Sequence, residues 1–414
     1  MGTLFRRITG VCLAIATSVA AVGCYQDGSS SVTALPSASG GDTQGNQQGC
    51  ISQFDANRDY FPEKTQFGAA SGIKVEYHKS YKVVTVDQTA PGASAERYVL
   101  VQCGAPEPTL EGDLAKAVKV QIPVKKIAAS STTQVPVLEM LGATERVVGV
   151  ATPQYLYDGP IRDAHAAGKI KGYANEDGTV NIEQALALAP DLFLSGGFED
   201  PSYAKLRGAK IPVVADASWL DATPLGRTEW LKYPALFLNL EAKANELFGK
   251  IESDYKAVAA KVAGASNRPS VLVGQNNAGV WRVPGGDSYL AALIKDAGGD
   301  YVFASKPGSE SAEVSMETVL ADAAKAKFWL NGQPFGAKWK TVADVVAADP
   351  RNESLEAVKL GNVWDPTLRV NEAGGNDYWQ QGAVRPDLVL ADLVAIFHPD
   401  LAASRTFVFY QKVQ

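Results

Sequence analysis

From Ile73 to Gln102, β-branched and aromatic residues alternate with polar ones, and a turn cluster around Pro91 and Gly92 interrupts the run. A period of two broken by a turn predicts strands in hairpin order. Beyond residue 120 the pattern changes. Short apolar runs, VKKIAA (124–129), RVVGVA (146–151), DLFLSG (191–196) and IPVVAD (211–216), alternate with stretches of helical spacing. A second series, SVLVGQ (270–275), KFWLNG (327–332) and NVWDP (362–366), repeats the scheme and leads to a helix after Pro386. Strands of this length separated by helices predict mainly parallel sheets, here in two α/β lobes. The segments 181–197 and 315–332 echo each other as cap, helix, strand and glycine turn, with Asn181 and Ser315 as N-caps and Glu183 and Glu317 in the first turns.

Between the two series, Leu236, Leu240, Ala244, Leu247, Ile251, Tyr255, Val258 and Val262 recur at steps of three and four. One apolar stripe of this kind predicts a single long helix from about Ala235 to about Val262, stopped by Gly264. At 1.5 Å per residue it would span about 40 Å, a stiff strut between the lobes.

The amino end has another character. Arg6 and Arg7 precede an apolar run from Val11 and small residues before Cys24, the layout of an export signal. AVGC (21–24) resembles a bacterial lipobox, which makes Cys24 the lipidated first residue of the mature chain. Residues 25–49 are rich in Ser, Gly and Gln and nearly free of large apolar groups, and so predict a flexible tether. No later stretch offers the roughly 18 uninterrupted apolar residues that a spanning helix needs. With Cys12 removed in the signal and Cys24 lipidated, Cys50 and Cys103 remain, and an oxidising compartment predicts that they are bridged. The expected divisions are signal 1–23, lipidated tether 24–49, disulfide-linked β extension 50–119, N-terminal lobe 120–234, connecting helix 235–264 and C-terminal lobe 265–414. With 46% apolar residues the chain buries a sizeable core, and its net charge of −6 carries no basic run to suit nucleic acid or an anionic membrane surface.

The blocks LGATERVVGV (141–150), KIKGYANEDGTVNIEQALALAPDLFL (169–194) and LGRTEWLKYPALFLNLEAKANELF (225–248) stand in a familiar order. VPGGDSYLAALIKDAGGDYVF (283–303), VSMETVLADAAKAKFWL (314–330) and VRPDLVLADLVAIFHPDL (384–401) continue it. Together they resemble the substrate-binding lipoproteins of ABC importers that carry iron-siderophore complexes and cobalamin. The resemblance implies a class III plan, two α/β lobes joined by a rigid helix with ligand in the cleft between them. It also implies an ABC permease as partner, a metal chelate as ligand and no cofactor, metal centre or catalysis of its own. The implied setting is that of an exported monomer on the outer face of the cytoplasmic membrane. A glutamate on each lobe docks to the permease in this family; Glu317 matches the C-lobe position and Glu199, more loosely, the N-lobe one.

Ligands of open α/β sheets sit beyond the carboxyl ends of the strands, which directs attention to four loops. After residue 129, Ser131 and Thr132 offer hydroxyls at a helix start, where capping alone also accounts for them. Tyr155 and Tyr157 follow residue 151 and could equally fold back on the body. Trp281 with Arg282 combines a ring and a guanidinium suited to an anionic, π-rich chelate, although neighbours in a strand face opposite ways. The last loop carries Arg369, Asn371, Tyr378 and Trp379 around a glycine pair, as a recognition rim or as a plug over the sheet edge.

Two rival chemistries are weaker. GDS at 286–288 and GGND at 374–377 resemble two blocks of GDSL-type esterases, with Ser288 as nucleophile and Asn376 as oxyanion donor. The expected acid three residues before His398 is Ala395, and Ser288 suits an N-cap. Direct metal capture would draw on only three histidines, His78, His165 and His398, none at ligand spacing with another. Cobalamin remains an alternative ligand; heme is disfavoured because Met140, Met316 and the histidines suggest no axial pair.

Overall fold

The computed structural model describes residues 45–198, 200–277, 279–331, 339–402 and 404–414. Cys24, most of the expected tether and Glu199 lie outside these residues. Four sheets form as the alternation predicts. The first runs through Ile73–Tyr77, Tyr81–Val86, Glu96–Gln102 and Val118–Ile122, the first three antiparallel and the last parallel to the third. Thus residues 120–122, expected in the N-terminal lobe, complete the extension's sheet. Nor is the extension a separate domain. Phe61, Val84, Tyr98 and Leu100 share one core with Ile127, Leu192, Leu194 and Tyr233 of the lobe, and the Tyr98 hydroxyl accepts the Ala215 N–H at 2.9 Å. A disulfide joins Cys50 to Cys103 and fixes the extension's amino end to the end of its third strand.

The N-terminal lobe is a wholly parallel sheet in the order Lys171–Gly172, Val147–Val150, Ile127–Ala129, Leu192–Ser195, Val213–Ala215. In the C-terminal lobe Asp300–Tyr301, Ser270–Val273, Phe328–Leu330 and Val363–Asp365 are parallel, and Gln411–Lys412 returns antiparallel at the edge. A small antiparallel sheet of Asn276–Asn277, Val280–Pro284 and Ser311–Val314 sits beside it. The two echoed segments fold alike: Asn181 accepts the Gln184 N–H and Ser315 the Thr318 N–H, each at 3.1 Å, and each helix leads into a central strand. These features define a class III periplasmic-binding architecture with mixed α/β lobes.

The strut is shorter than its apolar stripe. Lys232–Leu238 is one helix and Glu241–Ala260 another, broken by Asn239 at φ 57°, ψ 37°. Asparagine tolerates the left-handed conformation that ends a helix. Its amide donates to the Gln47 carbonyl at 2.6 Å and to Gln102 Oε1 at 2.9 Å, bonds that fix the break. The stripe runs on across the break because the first helix is buried all round, and the connecting helix itself, at 20 residues, spans only about 30 Å.

Just past the break, Glu241 pairs with Lys82 of the extension, and both side chains are fully buried. Lys82 Nζ also donates to the Leu236 carbonyl and to Asn239 Oδ1, both at 2.8 Å, while Asn46 Nδ2 donates to Glu241 Oε2 at 2.8 Å. Desolvation pushes the Lys82 ammonium down to about 8 against the opposing pull of Glu241. Removing one partner of such a pair leaves a buried charge uncompensated. Lys82→Met should therefore lower the free energy of urea unfolding by about 3–5 kcal/mol. Lys119→Met, which breaks the exposed pair with Glu107, should cost at most about 1 kcal/mol.

Candidate functional site

At the cleft the lobes meet through two different surfaces, one saturated with bonds and one left open. The saturated surface joins the 154–158 loop of the N-terminal lobe to the 369–380 loop of the C-terminal lobe. Asn371 Nδ2 donates to the carbonyls of Gln154 (3.0 Å) and Leu156 (2.8 Å). Gln380 donates to the Tyr155 carbonyl at 2.6 Å and accepts the Tyr157 N–H at 3.1 Å. Arg369 bridges Asp158 and Asp377, each at 2.7 Å, with its guanidinium 4.7 Å from the centre of the Tyr157 ring. Gly375 lies so close to the Tyr155 backbone that a Cβ would stand 1.8 Å from the Tyr155 carbonyl oxygen. Only glycine permits that approach.

Four of the expected ligand residues, Tyr155, Tyr157, Arg369 and Asn371, are therefore brought together, but as an inter-lobe latch. The backbone groups of the two tyrosines and the side chains of Arg369 and Asn371 are taken up by it. Ser131 and Thr132 are also placed differently. The Ser131 hydroxyl accepts the Thr133 N–H and its own N–H donates to Gln134, a reciprocal cap that explains the residue without a ligand.

Trp281 is a clear correction. Its side chain is fully buried, donates to the Val273 carbonyl at 2.9 Å and packs 5.2 Å from Trp329. In the strand Val280–Pro284 successive side chains alternate, so Arg282 takes the outer face and pairs with Glu313 at 2.9 Å. Which of the two would face outward was a question of sheet register, set by pairing with Ser311–Val314.

The open surface is a cavity of about 310 Å³ between the lobes. Trp219, Asp221 and Arg227 line it from the N-terminal side; Arg282, Tyr289 and Trp379 line it from the C-terminal side. Trp379 is half-buried, stands edge-on to Tyr378 at 4.9 Å, and its indole nitrogen is buried, with no hydrogen-bond partner among the described residues. Tyr378 is mostly buried against Phe409 and Tyr410 and presents only an edge. Trp219 donates to the Gly196 carbonyl and stacks with Phe198 at 4.6 Å; Phe198 is 60% exposed, an aromatic ledge outside the cavity.

Arg227 carries the site's electrostatics. Its helix, Pro224–Glu229, is capped by Thr223 and begins with proline, which aims the side chain back between the lobes. The guanidinium lies 5.2 Å from the Tyr289 ring centre and, among the described residues, has no carboxylate within ion-pair distance. It also lines a crevice of about 20 Å³ with Thr133, Asp216 and Ser218. Burial pushes the Asp216 carboxyl up, while the Ser218 N–H and the charge of Arg227 pull it down. Burial also raises the Tyr289 phenol, opposed by Arg227. Asp216 thus feels the charge of Arg227 without an ion pair between them.

Arg227, Trp219 and Tyr289 were not singled out in the sequence, although Arg227 stands in the 225–248 block and Tyr289 in the 283–303 block. A proline-started helix placed just before the connecting helix was the available signal. The larger hollow of about 820 Å³ is an alanine-rich trough along the connecting helix and the helix Tyr289–Asp296, lined also by Lys256, Arg268, Asp287, Lys295 and Tyr301.

The residues of the rival chemistries are engaged in local structure. Ser288 accepts the Ala291 N–H as an N-cap, Asn376 donates to the Pro366 carbonyl, and His398 meets the Gly298 carbonyl. His78 stacks on Tyr81 and His165 meets the Ile170 carbonyl. Among the described residues no group of three or more His, Cys, Asp or Glu side chains is placed to hold a metal ion. Nor is any described helix long and apolar enough to cross a membrane.

A family model described as periplasmic binding protein matches residues 127–366, more than half of the chain, and the chain belongs to that family. It is 29% identical over 335 residues to an uncharacterized lipoprotein of Methanocaldococcus jannaschii, with 77% of each chain covered. Its fold is similar to that of a possible iron-binding periplasmic solute-binding protein from Staphylococcus epidermidis (TM-score 0.52, 17% identity, 67% of this chain and 99% of that one). It is likewise similar to the periplasmic heme-binding protein HutB of Vibrio cholerae (TM-score 0.51, 18% identity, 64% and 98%). The family match lies within the lobes and makes the chain a periplasmic-type binding protein, and the solved structures share its architecture.

Two outcomes test this anatomy. Trp281→Ala should cost about 3–5 kcal/mol in denaturant unfolding, as expected for an emptied core position. Asn371→Ala combined with Gln380→Ala removes inter-lobe bonds worth about 1 kcal/mol each. Pulsed electron–electron resonance between spin labels on the two lobes should then show a longer and broader distance distribution than in the parent protein.

Proposed function

We propose that this protein captures an anionic, π-rich metal chelate, most simply a ferric siderophore, in the inter-lobe cavity and delivers it to an ABC permease. The observation that carries the reading is Arg227, a guanidinium with no ion-pair partner among the described residues, set among Trp219, Tyr289 and Trp379. Charge-assisted hydrogen bonds from a guanidinium are strong and directional, and ring faces accept a conjugated chelate without reorganisation. Iron would arrive already chelated, which suits the scattered histidines. The iron-binding and heme-binding proteins named above share the fold, a likeness that supports the ligand class without choosing within it.

In this reading Cys24 carries the lipid, residues 24–49 are the tether, and the protein works on the outer face of the cytoplasmic membrane. Glu317, exposed at a helix start and 3.2 Å from Arg351, and Glu199 would dock the lobes to the permease. No reaction is required of the protein, since recognition and release suffice.

Tryptophan fluorescence reports the test because Trp219 and Trp379 line the cavity. A ferric tris-catecholate should quench it saturably, and Arg227→Met should weaken that binding by about tenfold or more, the scale of one charge-assisted bond lost. Arg282→Met, already neutralised by Glu313, should change it by no more than about twofold. Saturation by zinc, cyanocobalamin or heme with no response to any ferric chelate would overturn the proposal.

A further inference from the structure

The extension, residues 50–122, lies outside the matched family region, yet it reaches the mouth of the cleft. Gly197, at φ +87°, follows the strand Leu192–Ser195, and a Cβ there would stand 2.4 Å from the Thr89 carbonyl oxygen. This close approach holds the extension's 87–92 loop at the carboxyl end of the N-terminal sheet, where ligands of open α/β sheets bind. Beneath the loop is a second hollow of about 240 Å³, lined by Ser71, Asp87 and Gln88 of the extension and by Leu220, Asp221 and Trp230 of the lobe. Leu220 and Asp221 line both hollows, so one turn of chain, Ser218–Leu220, is the partition between them.

The two hollows differ in charge. The inter-lobe cavity carries Arg227 and Arg282 beside Asp221 and Glu310. The second hollow carries Asp87, whose nearest cation is Lys74 at 3.4 Å on an exposed surface, and the exposed Gln88. Asp221 is already engaged by Trp230 and Ser71 and serves as wall. At about 310 Å³ the inter-lobe cavity lies at the lower limit of ligand pockets. A chelate large enough to wrap a metal ion gains room by extending past Leu220. Resting on the chelate-binding reading above, we infer that the extension builds a second chamber of the ligand site. The chamber takes a donor-rich arm of the chelate, an ammonium or hydroxylated chain, against Asp87 and Gln88, while the anionic head lies at Arg227.

The test uses the full chain in detergent and two probes, the iron complex of a tripodal tris(catecholamide) and the same complex bearing an aminopropyl arm. The arm should tighten binding by about tenfold, the scale of one charge-assisted hydrogen bond. That gain should vanish in the double variant Asp87→Asn, Gln88→Ala, with the armless complex bound within about twofold of the parent affinity. Both substitutions are at the surface, and an unchanged circular dichroism spectrum checks the fold. If both probes bind the parent protein equally, or the gain survives the double variant, the second chamber is overturned while the cleft reading stands. If neither probe binds the parent, both fall.

Discussion

The buried contact between Lys82 and Glu241 governs how the parts are joined. Glu241 opens the connecting helix, Lys82 belongs to the extension, and their shared partners Asn46, Asn239 and Leu236 come from the chain entry, the helix break and the N-terminal lobe. Burying two charges is costly, and this cost is offset only where nearly every remaining donor and acceptor is satisfied. The geometry meets that condition at one register of the three elements. Hence the extension, the lobe and the start of the connecting helix behave as one body with a common core. On the far side the helix Pro386–Phe397 lies along the connecting helix, and Asp392 accepts the Phe409 N–H at 2.7 Å and pairs with Arg405. Polar groups at both ends of the assembly are closed by specific bonds, which restricts how the lobes can rotate.

Within that frame the same residue types meet opposite fates. Arg369 and Arg227 are both half-buried arginines at the lobe boundary. Arg369 has two carboxylates and a ring, and its donors are spent on holding the lobes together. Arg227 has a ring and, among the described residues, no carboxylate at bonding distance, so its donors stay available. Trp281 and Trp379 also differ in placement: Trp281 is fully buried in the core, whereas Trp379 is half-buried and lines the cavity. A recognition surface is distinguished here by what its polar groups lack.

Much of the architecture was legible because it follows local rules. The period-two runs became strands, Asn181 and Ser315 became N-caps, and Pro386 starts its helix. The pairing of Cys50 with Cys103 followed from elimination and compartment. The connecting helix was read too long because periodicity reports which side is buried and is blind to one residue in the left-handed region. Asn239 has partners 137 and 192 positions away, and no window of sequence contains them.

By itself the sequence determined the kinds of element, their order, the two-lobed plan and the pool of rings and guanidiniums from which a site could be made. Only the tertiary structure decided which of these face the ligand cavity. The strand register turned Trp281 inward, the close approach of Gly375 to Tyr155 drew Arg369 and Asn371 into the latch, and the proline-started helix before the connecting strut left Arg227 exposed to the cleft. The physical reason is that periodicity and capping are set by neighbours along the chain, whereas burial, charge compensation and hydrogen-bond saturation depend on partners one or two hundred residues away.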